Sequence, residues 1–371
     1  MAYSKRKIAF FLGALRIGGA ESLILDVCKN YDKEQFDICC IYRNEGELSG
    51  QMEQTGVRLL KLGRSGSLFK YIWRLRRCIL KEGIEIVHTQ TISNTIISII
   101  ALSFTKVKII VTFHGFFDSL SDRRLHFVCS HCERIICVSD TERKYYENRL
   151  HLEDSSKLIT IYNGVNFDKI TEACPNIDYL RTDGRIQLAM VGSFVGGRDH
   201  LLVAKSILEL KNRGVSFFDF FFIGRKDSHE EWVYDNCYDY CQKNGLTHVH
   251  FLGERKDVPS LLKAMDGYIY STKKDTFGIA VIEALAAGLP TVVNDWEVMK
   301  EIIRDPNEAV RFFRTGDVID CADKMQALLS DLTNHKDRLA EDCEIMSERI
   351  KEEFSIERHI NELSNVYYSV L

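Results

Sequence analysis

The stretch Met265–Val293, MDGYIYSTKKDTFGIAVIEALAAGLPTVV, decides the fold. Gly267–Tyr270 is a short apolar run of the kind that forms a buried strand. Ser271–Thr276 is a polar loop. Phe277-Gly278 then opens an amphipathic helix that stops at Gly288-Leu289-Pro290, and Thr291-Val292-Val293 is the next strand. Strand, helix and strand in this order make one unit of a parallel sheet. Two acids stand eight positions apart in it, Asp275 in the loop and Glu283 on the helix. Between them, the backbone N–H groups of Phe277-Gly278-Ile279-Ala280 are the unpaired donors of a helix start, and such donors bind anions. The spacing suits a sugar, a phosphate and a ribose in a row. It suits equally well an Asp275 that caps the helix and a Glu283 that faces solvent.

The same alternation runs outward on both sides. Strands at Ile186–Val191, Phe217–Ile223, His248–Leu252 and Ala309–Phe312 complete a second-half sheet. Helices at His200–Arg213, Glu230–Lys243, Val258–Ala264, Glu297–Ile303, Asp317–Leu332 and Asp337–Lys351 accompany it. In the first half, strands at Lys7–Leu12, Phe36–Tyr42, Val57–Leu62, Glu85–His88, Lys108–Phe113, Arg134–Val138 and Leu158–Ile161 alternate with helices at Ala20–Lys29, Leu68–Lys81, Asn94–Phe104, Asp122–His131 and Thr141–Leu150. Two α/β domains with doubly wound parallel sheets follow. Thr171–Gly184 loses the period and holds one of only four prolines, which marks a boundary. The expected division is 1–165, a linker over 166–184, 185–352, and a final helix over 353–371 that packs back on the first domain.

At 371 residues the chain is too long for one core. Its 45% hydrophobic and 27% charged content is that of a soluble globular protein. No apolar run reaches membrane-spanning length and no signal-peptide core follows Met1–Arg6, so a cytoplasmic location is expected. Residues 1–165 carry 24 Lys and Arg against 18 Asp and Glu, a balance of +6, whereas 166–371 carry 25 against 35, a balance of −10. Neither half has a basic stripe interleaved with aromatics, which excludes a nucleic-acid partner. Cys129, His131, Cys132 and Cys137 cluster in sequence. Their only remote companions, Cys237 and Cys241, have the spacing of a helix face, so core thiols are expected and no metal.

Both halves open with a strand and a glycine-rich loop. Gly13, Gly18 and Gly19 precede a helix with Glu21 in its first turn, but do not form the dinucleotide fingerprint. Gly192 begins the second loop and Arg198 ends it, where an arginine fork suits a phosphate. Ligands of parallel sheets sit at the carboxyl ends of strands, which puts His88, Thr112–Gly115 with His114 among them, and Ser139 on the ligand side.

Taken in order, Gly18-Gly19-Ala20-Glu21, Thr112-Phe113-His114-Gly115, Val138-Ser139, Asn163-Gly164-Val165, Val191-Gly192 with Arg198, Phe251-Leu252-Gly253 with Asp257-Val258, and Asp275–Pro290 resemble family 4 of the retaining glycosyltransferases. The resemblance covers nearly the whole chain. It implies a GT-B fold, with two Rossmann-like domains facing a cleft. It further implies a nucleotide-sugar donor on the second domain and an acceptor on the first, with no cofactor and no metal. Glu283 would then take the ribose hydroxyls, and the amides of Gly278, Ile279 and Ala280 the diphosphate. Phe277 would line the donor site, and Asp275 would hold the transferred sugar. Arg198 would stabilise the leaving diphosphate. Gly18 and Gly19 would let the first domain approach that group, and His114 would sit by the reacting sugar.

Three departures from the family are visible. It usually has glutamate at Asp275, lysine at Arg198 and arginine at Ser193, so Arg255 or Lys274 would have to supply the missing cation. The expected activity is transfer of a hexose or N-acetylhexosamine from a UDP-sugar to a cell-surface polysaccharide or a lipid-linked glycan. The rivals are an epimerase on the same fold and a catalytically weak sugar-nucleotide-binding subunit; a phosphorylase would want a pyridoxal lysine motif that is not seen. Finally, Leu68–Lys81 reads as a basic amphipathic helix with Leu68, Ile72, Leu75 and Ile79 inward and Trp73 outward. It is a candidate contact with an anionic membrane surface on the cytoplasmic face.

Overall fold

The computed structural model describes residues 5–63, 66–152, 154–179 and 184–371. It divides into two compact units, one running to Gly164 and including Ile356–Leu371, the other Val165–Ser355.

In the first unit β1 (Arg6–Phe11), β2 (Phe36–Tyr42), β3 (Arg58–Lys61), β4 (Ile86–Thr89), β5 (Lys108–Phe113), β6 (Arg134–Cys137) and β7 (Leu158–Thr160) form one sheet in the order β3-β2-β1-β4-β5-β6-β7. Every neighbouring pair is parallel. Central strands of such a sheet are covered on both faces, which is why Ile8–Phe11 is apolar throughout rather than alternating. One face packs Ile8, Phe10, Ile24 and Val27 against Ile356, Ile360 and Leu363 of the final helix, Ile356–Val370. The other packs Ala9 and Phe11 with Leu75, Ile79, Leu125 and Tyr146.

The second unit repeats the plan with β8 (Ile186–Val191), β9 (Phe218–Ile223), β10 (Val249–Gly253), β11 (Gly267–Tyr270), β12 (Thr291–Asn294) and β13 (Val310–Phe313). The order is β10-β9-β8-β11-β12-β13, again all parallel. The order of each sheet reverses once, between β1 and β4 and between β8 and β11. Crevices at such switch points receive ligands.

The sheets and their alternation with helices are those expected from the sequence, and three details differ. The described part of the stretch expected as a linker belongs to the second unit. There Asn176 donates to Ser260 O and to Asp257 Oδ2, each at 2.9 Å, and Tyr179 meets Phe221 edge-on at 5.6 Å. Short helices at Ser49–Gln54 and Asp168–Thr171 were too brief to carry a helical period.

The third difference is the inward stripe of Leu68–Glu82, which is Tyr71, Leu75 and Ile79. Tyr71 takes the position one turn before Leu75, so Ile72 is only partly buried, and Leu68, the first residue of the helix, is 64% exposed. Arg76 is not outward either: it donates to Ala101 O at 2.7 Å and to Ser103 O at 2.9 Å. Cys129, Cys132 and Cys137 lie in the apolar core, where burial pushes the Cys129 thiol up to about 12.

Candidate active site

The second unit's site grows from the loops after β8 and β11. Gly192 has φ +156°, and a Cβ there would stand 2.8 Å from the guanidinium of Arg198, so glycine lets Arg198 fold back along the loop. The two loops are stitched together. Asp199 N donates to Ser271 O at 3.0 Å, Thr272 Oγ1 to Gly197 O at 2.9 Å, and Lys273 N to Gly197 O at 2.8 Å. Lys273 Nζ pairs with Asp199 at 2.9 Å. Asn294, at the end of β12, clamps Thr272 from below through Thr272 N (2.9 Å) and Thr272 O (2.8 Å).

On this frame Arg198 Nε donates to the Tyr270 hydroxyl at 3.0 Å, and that hydroxyl donates to Asp275 Oδ2 at 2.6 Å. Asp275 Oδ1 accepts from the amides of Phe277 (3.2 Å) and Gly278 (3.1 Å), and its carbonyl accepts from Trp296 Nε1 at 3.0 Å. The Tyr270 phenol, helped by Asp275, raises the pKa of Arg198 further, so the guanidinium is a fixed cation. Burial raises that of Tyr270, which stays protonated. Gly278 caps the helix Ile279–Ala286 with φ +84°, and a Cβ there would meet Met299 Cε at 2.6 Å. Two conditions therefore demand glycine at this helix tip. Glu283 stands one turn inside the helix, partly buried, and close enough to Tyr268 to reinforce the effect of burial on that phenol.

Several expected site residues are placed otherwise. The Phe277 ring is 2% exposed and meets Phe354 edge-on at 5.6 Å, so it is core and not a ligand contact. The Gly278 amide is spent on Asp275, which leaves Ile279 and Ala280 as the remaining first-turn donors. Arg255 is held in a fork by Asp257 at 2.8 and 2.7 Å, and keeps that carboxyl near pH 2, so it supplies no spare charge to the Arg198 group. Lys274 joins through its backbone, its N donating to Gly197 O at 3.2 Å, while its side chain is exposed. Ser193 follows Gly192 in the loop and is partly buried.

In the first unit His114 follows β5, and its Nε2 meets Gln90 Oε1 at 2.7 Å. An amide oxygen only accepts, so Nε2 carries the proton. Burial, reinforced by His359, lowers His114 to about 4, and the ring is neutral at pH 7. His88, on β4, bonds the Tyr367 hydroxyl at 2.8 Å and Thr112 Oγ1 at 2.7 Å, and burial lowers it to about 3. Gly18 is the N-cap of the helix Gly19–Asn30, where a Cβ would fall 2.6 Å from Glu21 Oε2. Gly19 is exposed beside it.

Sequence reading passed over Tyr270, Asn294, Trp296, Met299 and Gln90. The first two and Gln90 end or follow strands β11, β12 and β4, so the carboxyl-end rule pointed to them. Nothing local marked the other two.

Residues 17–169 match glycosyltransferase family 4, and residues 185–331 match glycosyl transferases group 1. The chain belongs to glycosyltransferase family 4. This glycosyltransferase is 27% identical over 318 residues, 79% of its own chain and 80% of the relative, to the UDP-Gal:alpha-D-GlcNAc-diphosphoundecaprenol alpha-1,3-galactosyltransferase of Escherichia coli. It is 29% identical over 69% of its chain and 67% of the relative to a phosphatidyl-myo-inositol mannosyltransferase of Mycobacterium leprae. Its GT-B fold is shared with a glycosyltransferase from Rickettsia africae, at a TM-score of 0.85 and 18% identity over 99% of both chains. Anabaena HepE, solved in complex with UDP and glucose, superimposes with a TM-score of 0.82 at 14% identity, covering 98% of this chain and all of that one.

Proposed function

We propose that this transferase is retaining and metal-independent, and that it moves a hexose or N-acetylhexosamine from a UDP-sugar to a lipid-linked or polysaccharide acceptor. The observation that carries the reading is the chain Arg198–Tyr270–Asp275–helix tip. Arg198 spends Nε on Tyr270 and keeps the two terminal nitrogens of its fork for a diphosphate, where a preorganised cation does the work of a metal on a leaving group. The Ile279 and Ala280 amides add the helix N-terminus to the same anion, and Glu283 suits ribose hydroxyls. Both carboxylate oxygens of Asp275 are already engaged, Oδ1 by two amides and Oδ2 by a phenol, which makes it a poor nucleophile. That favours displacement on the face of the leaving group over a covalent glycosyl-enzyme. His114 is neutral and suits hydrogen bonding to sugar hydroxyls rather than proton donation at pH 7.

The donor class is supported by the UDP bound in Anabaena HepE, and the acceptor class by the diphosphoundecaprenol substrate named for the Escherichia coli relative. The membrane part of the reading draws on Leu68–Glu82, where Gly66, Phe69, Lys70, Trp73 and Arg74 line a surface hollow of about 640 Å³. Phe69 is 79% and Trp73 54% exposed there, and Arg77 lies 5.4 Å from the Trp73 ring centre.

The experiment is turnover with a panel of UDP- and GDP-sugars against diphospho-polyprenyl acceptors, with and without EDTA, reading the anomeric configuration of the product by NMR. The expected result is one UDP-sugar used with retention and undiminished by EDTA. Inversion, or activity lost in EDTA and restored by manganese, would reject the mechanism.

A further inference from the structure

Tyr270 is the last residue of β11, wholly buried, and its ring lies nearly parallel to that of Tyr268 at 6.3 Å and 14°. Its hydroxyl touches both Arg198 and Asp275. The direction of both bonds is forced: a guanidinium can only donate and a carboxylate can only accept, so one hydroxyl proton and one lone pair are used with no alternative pattern. We propose that Tyr270 is a positioning residue for sugar transfer, whose hydroxyl, held between Arg198 Nε and Asp275 Oδ2, sets the distance between the leaving-group cation and the carboxylate at the helix tip.

The inference rests on the roles given above to Arg198 and Asp275. Three features support it. The ring is locked by burial on a central strand, so the hydroxyl cannot follow either partner if one moves, which is the condition for preorganisation. It takes Nε and leaves the terminal fork of Arg198 unobstructed. It also fits this chain's aspartate. With Oδ1 on the Phe277 and Gly278 amides, Oδ2 reaches the phenol at 2.6 Å, and a longer acid seated on the same amides would push its outer oxygen past the hydroxyl. Tyrosine and aspartate thus belong together. Without the hydroxyl, Arg198 and Asp275 keep their charges but lose their common anchor, so donor affinity should survive while the rate of transfer falls.

The test is a kinetic cycle on the full chain with Tyr270→Phe, Asp275→Asn and the double variant, with Arg198→Ala as reference. Tyr270→Phe is expected to lower kcat about 10-fold or more while changing the donor KM less than about 2-fold. In the Asp275→Asn background the same change should cost less than about 3-fold, because partners in one network are not additive. A merely structural tyrosine would lower Tm and leave kcat of the folded fraction unchanged, or cost the same in both backgrounds, and either result overturns the inference. If Arg198→Ala is slow but Tyr270→Phe is not, the Tyr270 inference alone falls. If Arg198→Ala also turns over normally, the reading of the site falls with it. Should Tyr270→Phe not fold, the Arg198 Nε–H of the wild-type protein decides by NMR. Slow exchange with solvent supports the bond, and exchange at the rate of a free guanidinium overturns it.

Discussion

At the carboxyl ends of β4 and β5 the first unit gathers His88, Gln90, Thr112 and His114, all neutral at pH 7. At the ends of β8 and β11 the second gathers Arg198, Asp275 and the Lys273–Asp199 pair. The two sheets share one plan, so topology does not dictate which chemistry their crevices hold. Nor does overall charge. Residues 1–165 are net positive by 6 and end in neutral groups; residues 166–371 are net negative by 10 and yet carry the site cation. Long-range charge governs solubility and encounter, whereas the proposed diphosphate would answer to a single guanidinium in a poorly screened crevice.

The comparison breaks most visibly with pH. Burial lowers His88 to about 3 and His114 and His359 to about 4, against about 6.5 in an unfolded chain. Below pH 6.5 the unfolded first unit therefore binds protons that the folded one refuses, and its stability falls as pH drops, at roughly 1.4 kcal/mol per pH unit for each histidine. The second unit holds one comparable group, His200 at about 3, and a more weakly lowered His248. In urea titrations between pH 7 and 4.5 the first unit should unfold earlier and with the steeper pH dependence; equal shifts of both units would break the contrast.

Next in size is the cation. Arg198→Ala should cost about 100-fold or more in kcat, as for loss of one preorganised charge stabiliser, and steady-state kinetics with the best donor measures it. Glu283→Gln should weaken donor binding by roughly 1.5–3 kcal/mol with a smaller loss of kcat, because the proposed bond to ribose would be held before and during transfer. Calorimetric titration with the UDP-sugar checks this, and wild-type affinity would leave Glu283 as a surface acid. The smallest effect belongs to the first unit's surface. Lys70, Arg77 and Lys81 changed to Ser should each weaken sedimentation with anionic liposomes by about 1 kcal/mol at low salt. Unchanged pelleting would make the Leu68–Glu82 face ordinary surface. Arg76 is left intact there because it holds the end of the neighbouring helix.

The layers of both sheets were legible because buried parallel strands are continuous apolar runs, and because glycine and proline punctuate them. The loops of the candidate site were legible where they follow such a run: Gly192, Arg198, Asp275 and His114 all stand there. Side-chain partnership was not legible. Tyr270 looks like any strand aromatic until its hydroxyl is seen between two charges. Phe277 stands beside the helix tip of the candidate site, yet its ring belongs to the core. Arg255 reads as a spare cation although its partner is two positions away. Tyr71, which stands inward where Ile72 was expected, was passed over because a half-polar ring counts for little in an apolar tally although it covers more area than leucine.

The return of Ile356–Val370 to the first sheet sets an order of events during synthesis. Residues 165–355 emerge from the ribosome complete as a unit, while the earlier 164 residues still lack the helix that covers Ile8, Phe10 and Ile24. The first half of the chain must therefore wait, with an apolar face exposed, for a segment translated after the whole of the second. The part made first finishes folding last, and until then its uncovered face is the kind of transient apolar surface that invites aggregation.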